Sequence, residues 1–129
     1  MIALDTNILL RYLVEPNSPE GLIATKLIEE TLSLINPGYI SVLVLAEMLW
    51  VLRKGYSVSS ENQRMIVSKI LKMSQLMVEQ GALVEGALDL PHPGLADCIL
   101  HEIGQAAGCS YTATFDNRFA RMNHVKLLI

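Results

Sequence analysis

Short β-prone runs alternate with longer helix-periodic runs along the whole chain, and this alternation constrains the fold more than any other feature. An apolar run, Met1-Ile2-Ala3-Leu4, is broken at once by Asp5-Thr6-Asn7 and resumes as Ile8-Leu9-Leu10. Residues 2–5 read as a short buried strand ending in a carboxylate, and residues 7–14 as a helix entered through capping residues. Pro16 and Pro19 break the chain next, with Asn17 or Ser18 placed to cap a second helix. Leu22, Ile23, Leu27, Ile28, Leu32 and Ile35 give that helix a single apolar stripe, and Asn36-Pro37-Gly38 stops it.

The pattern then repeats. Tyr39-Ile40-Ser41 reads as a strand, and Ser41 caps a nearly all-apolar run from Val42 to Arg53, expected to be a buried helix closed by Lys54-Gly55-Tyr56. A helix from Ser60 to Met73, a strand from Gln75 to Glu79 and a helix from Gly81 to Leu88 follow. Pro91-His92-Pro93-Gly94 is a loop. Leu95 opens a helix running to about Ala107, ended by Gly108, before a strand from Tyr111 to Phe115. Asp116-Asn117 starts a short helical turn, and Val125 to Ile129 is a final strand. The expected fold is α/β: three α/β/α layers around a central parallel sheet of four to five short strands. Without internal repeat or linker, residues 1–129 are expected to form one domain.

Bulk properties narrow the function classes. The chain is 51% hydrophobic, enough for an ample core. Its longest apolar run, Val42 to Leu52, is about half the ~20 residues of a spanning helix and is interrupted by Glu47. With no signal-peptide pattern at the amino terminus, a soluble cytoplasmic protein without membrane contact is expected. A net charge of −3 argues against nucleic-acid binding driven by overall charge, though not against local basic patches. Cys98 and Cys109 lack metal-type spacing and read as reduced core or near-core thiols.

Four acids need explaining. Glu47 sits on an apolar helix whose neighbours Leu43, Val44, Trp50 and Val51 offer no salt bridge. Its carboxylate must therefore be paired, metal-bound, protonated or turned toward water. Asp5 and Asp116 each follow a predicted strand and precede a predicted helix, where capping is the plain alternative. Asp97 begins a helix, where the dipole favours a carboxylate in any case. In an open α/β sheet, ligands bind outside the carboxyl ends of the strands. Asp5, Asp97 and Asp116 could all face that end. Four clustered carboxylates would repel one another unless a hard divalent cation joined them, and oxygen ligands favour Mg²⁺ or Mn²⁺. Metal-assisted phosphodiester hydrolysis is the chemistry this set suggests.

The same segments carry a resemblance. Met1 to Leu13 (MIALDTNILLRYL), Ile40 to Leu52, Leu95 to Leu100 (LADCIL) and Thr114 to Phe119 (TFDNRF) resemble, in order, the motifs of PIN-domain ribonucleases of the VapC toxin type. The resemblance implies an acidic Mg²⁺/Mn²⁺ site, endonuclease action on RNA, and frequently a homodimer inhibited by a cognate protein antitoxin. It places Asp5, Glu47, Asp97 and Asp116 in the four acidic positions. Asp5 and Asp97 would be direct metal ligands, Asp116 a ligand directly or through water, and Glu47 would orient water or bind a second ion. Thr6, Asn7 and Thr114 sit beside these acids and could hydrogen-bond them from behind. Many relatives carry an extra Asp three residues before the Asp97 position, where this chain has Gly94.

Other readings stay open on the residues alone. A catalytically silent module of the same fold would hold RNA or a protein without cutting. A metal-dependent phosphatase or phosphoryl transferase of the haloacid-dehalogenase type would need a second Asp where Asn7 stands. Arg11, Arg53, Lys54, Arg118 and Arg121 are candidate phosphate contacts. Tyr12 and Trp50 fit packing in the core, the default, or against a partner helix. The Met-rich stretch from Met65 to Met77 fits core packing or a partner surface equally. His101 is expected to face solvent, and His92 and His124 have no visible partner.

Overall fold

A computed structural model describes all residues, 1–129. Five strands alternate with six α-helices: β1 (Ile2–Ala3), α1 (Thr6–Val14), α2 (Pro19–Lys26), β2 (Gly38–Ile40), α3 (Val42–Gly55), α4 (Ser60–Lys72), β3 (Leu76–Val78), α5 (Gly81–Ala87), α6 (Leu95–Ala106), β4 (Thr112–Thr114) and β5 (Val125–Leu127). All pairings are parallel, so the α/β class read from the alternation holds. The strands divide into two sets, however. One has the order β1-β2-β3, with Ile2 opposite Gly38 and Gly38 opposite Leu76; the other pairs β4 with β5, Thr112 opposite Val125.

Local signals place the helix starts. Ser18, Ser41 and Ser59 accept hydrogen bonds from the backbone N–H groups of Gly21, Val44 and Asn62, and Pro19 occupies the first turn of α2. Each serine satisfies one donor that the first helical turn leaves free. Gly108, at φ 94°, adopts the left-handed backbone that stops the chain after α6.

The core is continuous. Leu9 of α1, Ile40 of β2, Leu45, Met48, Leu49 and Leu52 of α3, Val67 and Ile70 of α4, Val84 of α5 and Cys98 of α6 are buried in it. On α3 the buried set falls at spacings of three and four, which gives one stripe. The opposite stripe is exposed. Leu43 and Trp50 are 77% and 64% exposed, and Glu47 lies between them facing water. Thus α3 is half-buried and not wholly buried, and solvation removes the cost that a paired Glu47 would otherwise have to offset.

Three further expectations change. The second helix does not run to Ile35 as one stripe: α2 ends at Lys26, a π-helical turn covers Leu27–Thr31, and Leu34 and Ile35 are exposed. The wider turn rotates the face, so Ile28 and Leu32 are buried in the core, Leu27 packs against its edge, and Leu34 and Ile35 do not reach it. Ile2 and Ala3 are exposed because β1 is an edge strand, paired on one side only. Cys109 is exposed, while Cys98 is buried and both thiols are free. No helix is long and apolar enough to cross a membrane.

The two stripes of α3 should respond oppositely to truncation. Leu45→Ala, at a fully buried position, should cost about 2–5 kcal/mol in urea denaturation. Leu43→Ala should stay within about 0.5 kcal/mol of the parent.

Candidate metal centre

The α5–α6 loop, the first turn of α6 and the segment after β4 meet at one point. His92, Asp97 and Asp116 each offer a donor atom there, and the three atoms lie within 4.8 Å of one another. Two of these residues are acids that the sequence singled out. The third is the histidine between two prolines, which had no visible partner in the sequence.

The loop is built from behind. Arg64 of α4 donates to the carbonyls of Ala87 (3.2 Å) and Leu88 (2.6 Å) and to that of His92. Ser60 donates to the Pro93 carbonyl, and the Cys98 thiol lies 3.4 Å from the His92 carbonyl. These anchors tuck the His92 ring inside, where only 6% of the residue is exposed. Nε2 stands 2.9 Å from Asp97 Oδ2, while Nδ1 is buried without a hydrogen-bond partner. The ring stacks on Phe119 at 4.9 Å between centroids. His101 meets the same Phe119 edge-on and bonds Thr112 Oγ1 at 2.7 Å, so it is buried between α6 and β4 and does not face solvent.

Asp116 is shaped by its own turn. Its backbone N–H donates to Thr114 Oγ1 (3.0 Å), and its Oδ1 accepts from the N–H groups of Arg118 (2.8 Å) and Phe119 (3.3 Å). Those amide bonds, Phe119 first, hold the Asp116 carboxyl below its ordinary value, and the nearby charges of His92 and Arg118 act in the same direction. The carboxylate is therefore kept ionised.

The group lines a groove of about 520 Å³ that also contains Trp50, Arg53, Ser60, Gly94 and Arg118. One imidazole and two carboxylates at this spacing fit a divalent cation, and the two arginines beside them fit an anionic ligand. Trp50, expected in the core, instead borders this groove.

The remaining candidate residues are not members of this group of three. Asp5 accepts from the Thr6 backbone N–H and caps α1, outside the group of three. Its strand and that of Asp116 belong to different sheets, which gives no register to bring them together. Thr6 is buried and Asn7 exposed beside it. Glu47 lies on the exposed stripe of α3, one turn before Trp50. Arg11 is engaged with Glu15 and Glu20 of its own neighbourhood. Lys54 is exposed and outside the groove lining. Sequence reasoning missed His92 and Arg64; the only local signal for the first was a histidine in a Pro-rich loop five residues before an acid.

The model of one protein family, described as the PIN domain, matches residues 2–125, nearly the whole chain. No curated protein matches it.

The state of Asp116 is open to measurement. A folded pKa below the unfolded one adds stability above the unfolded pKa, and this is lost as pH falls through the folded pKa. Carboxyl ¹³C NMR should show Asp116 titrating below the usual aspartate range, and Arg118→Pro, which removes one donated amide and the neighbouring charge at a φ of −70° that suits proline, should move it back up.

Proposed function

This chain belongs to the PIN-domain family, whose members are generally metal-dependent nucleases, and from that premise we propose that it is a Mg²⁺- or Mn²⁺-dependent endoribonuclease. In this reading it is the toxin of a toxin–antitoxin pair, working in the cytoplasm as a homodimer held in check by a cognate protein antitoxin. The observation that carries the nuclease reading is one groove containing Asp97, Asp116, Arg53, Arg118 and Trp50 together.

Each residue has a job that its chemistry allows. Asp97 and Asp116 would hold the cation, with the Asp116 charge secured by its turn amides. When bound, the cation polarises the phosphoryl group and activates water toward phosphorus. Arg53, in the last turn of α3, and Arg118, beside Asp116, are placed to contact non-bridging phosphate oxygens. The exposed Trp50 ring offers a stacking face for an unpaired base, which favours single-stranded segments of RNA. Asp5 and Glu47 stay assigned to the reaction as further acids, Asp5 with a second task as a helix cap.

Purified protein mixed with a structured RNA and Mn²⁺ or Mg²⁺ should shorten it, and EDTA should stop the cleavage. Asp97→Asn and Asp116→Asn should each lower the rate by more than about 100-fold, beyond the 10–100-fold typical of residues that only support a ligand. Asp5→Asn separates two roles, because Asn caps a helix as well as Asp does. Its thermal stability should stay near the parent's while its cleavage falls. RNA that is retarded but never shortened would overturn the nuclease reading in favour of a binding module. Phosphate released from small esters while RNA stays whole would point to a phosphatase. Trp50→Ala should raise KM for RNA by about tenfold, within the ~1–3 kcal/mol of one base stack, and leave kcat nearly unchanged.

A further inference from the structure

We propose that His92 is itself a metal ligand, so that the site is a mixed imidazole–carboxylate centre that binds a transition-metal dication in preference to Mg²⁺. The proposal rests on the reading of this groove as a metal centre, and goes beyond it in naming the third ligand and the class of ion.

The 2.9 Å contact between the imidazole and the Asp97 carboxylate is a hydrogen bond, and the same spacing suits two neighbouring ligands of one ion. Donors on adjacent corners of an octahedron with bonds of about 2.1 Å stand about 3.0 Å apart. His92 Nε2 and Asp97 Oδ2 are 2.9 Å apart, and an Asp116 oxygen completes the triangle within 4.8 Å. The ring cannot drift from this place. It is stacked on Phe119, and its backbone carbonyl is held by Arg64.

Gly94 is the second observation. A Cβ at this position would come 2.7 Å from Asp97 Oδ2 and 2.9 Å from His92 Nε2. The backbone there, at φ −76°, is open to any residue, so glycine is required by the space beside these two donors and not by the chain path. Any side chain at 94 would occupy the point where imidazole and carboxylate converge. Gly94 thus keeps side-chain atoms off the two donors, and the buried imidazole reaches past it to Asp97.

The choice of ion follows from the donors. Imidazole suits Co²⁺, Zn²⁺, Ni²⁺ and Fe²⁺, and adds little for Mg²⁺, which demands oxygen and retains its water. A ring that only positioned Asp97 would support every cation alike.

Titration of the EDTA-treated full-length protein with Co²⁺ alone, and separately with Mg²⁺ alone, distinguishes the two. Calorimetry should give tighter binding for Co²⁺, and the bound ion should show a visible ligand-field spectrum. His92→Ala should weaken Co²⁺ by about 10–100-fold, change that spectrum and leave Mg²⁺ affinity within about twofold. His92→Phe keeps a ring to stack on Phe119 and removes only the nitrogens, so it should fold and weaken Co²⁺ in the same selective way, even if His92→Ala fails to fold. Equal weakening of both ions, or an unchanged Co²⁺ spectrum in the folded variants, would overturn the assignment. No RNA enters the titration. A selective loss of Co²⁺ in a protein that cuts no RNA would sink the nuclease reading alone, and Co²⁺ binding indifferent to His92 in a protein that still cuts RNA would sink this one alone.

Discussion

The Arg64 guanidinium holds the site together through backbone carbonyls, without bonding to its donor atoms. Past the end of α5 the Ala87 carbonyl accepts from the Leu90 N–H, but no backbone N–H reaches that of Leu88, and a buried carbonyl without a partner is costly. Arg64 donates to both and, with the other arm of the same planar fork, to that of His92. One half-buried cation therefore fixes three elements relative to one another: α4, the end of α5 and the loop into α6. A lysine could supply the charge but not the fork. Asp97 follows this loop by one helical turn, so its position inherits the same constraint.

Phe119 closes the arrangement from the other side. It is buried between two imidazoles, stacked on His92 and edge-on to His101, and it lies three residues after Asp116. His101 in turn bonds Thr112 of β4. The strand that delivers Asp116 is thereby pinned to the helix that delivers Asp97. Neither sheet pairing does this, because β4 bonds only to β5. Aromatic packing, more than strand register, brings the two acids to one place.

What the sequence made legible was local. Ser41 and Ser59 caps, the Pro19 start and the stop at Gly108 are signals that act within one turn, and the elements begin and end near them. Asp97 and Asp116 were legible because their positions relative to a helix start and a strand end are also local. What stayed hidden depends on distant contacts. An apolar helix such as α3 does not announce which stripe faces water, so Trp50 read as core. The partners of His92 come from Phe119 and Arg64, 27 and 28 residues away in sequence. His101 fails as a surface residue for a related reason: its bond is to Thr112, eleven residues on in the next strand, and the helix pattern alone does not show it. The π-helical turn after Lys26 has no compositional mark, and it discards the apolar pattern beyond Leu32.

The space beside Gly94 has a consequence for how such a site can change over generations. Positions 92 and 94 are not free to vary separately. An acidic side chain at 94 and an imidazole at 92 would compete for one small volume next to Asp97. A side chain at 94 with the imidazole kept would crowd both Asp97 Oδ2 and His92 Nε2. The two positions are therefore coupled through a shared volume, and the cost of a change at one depends on what stands at the other.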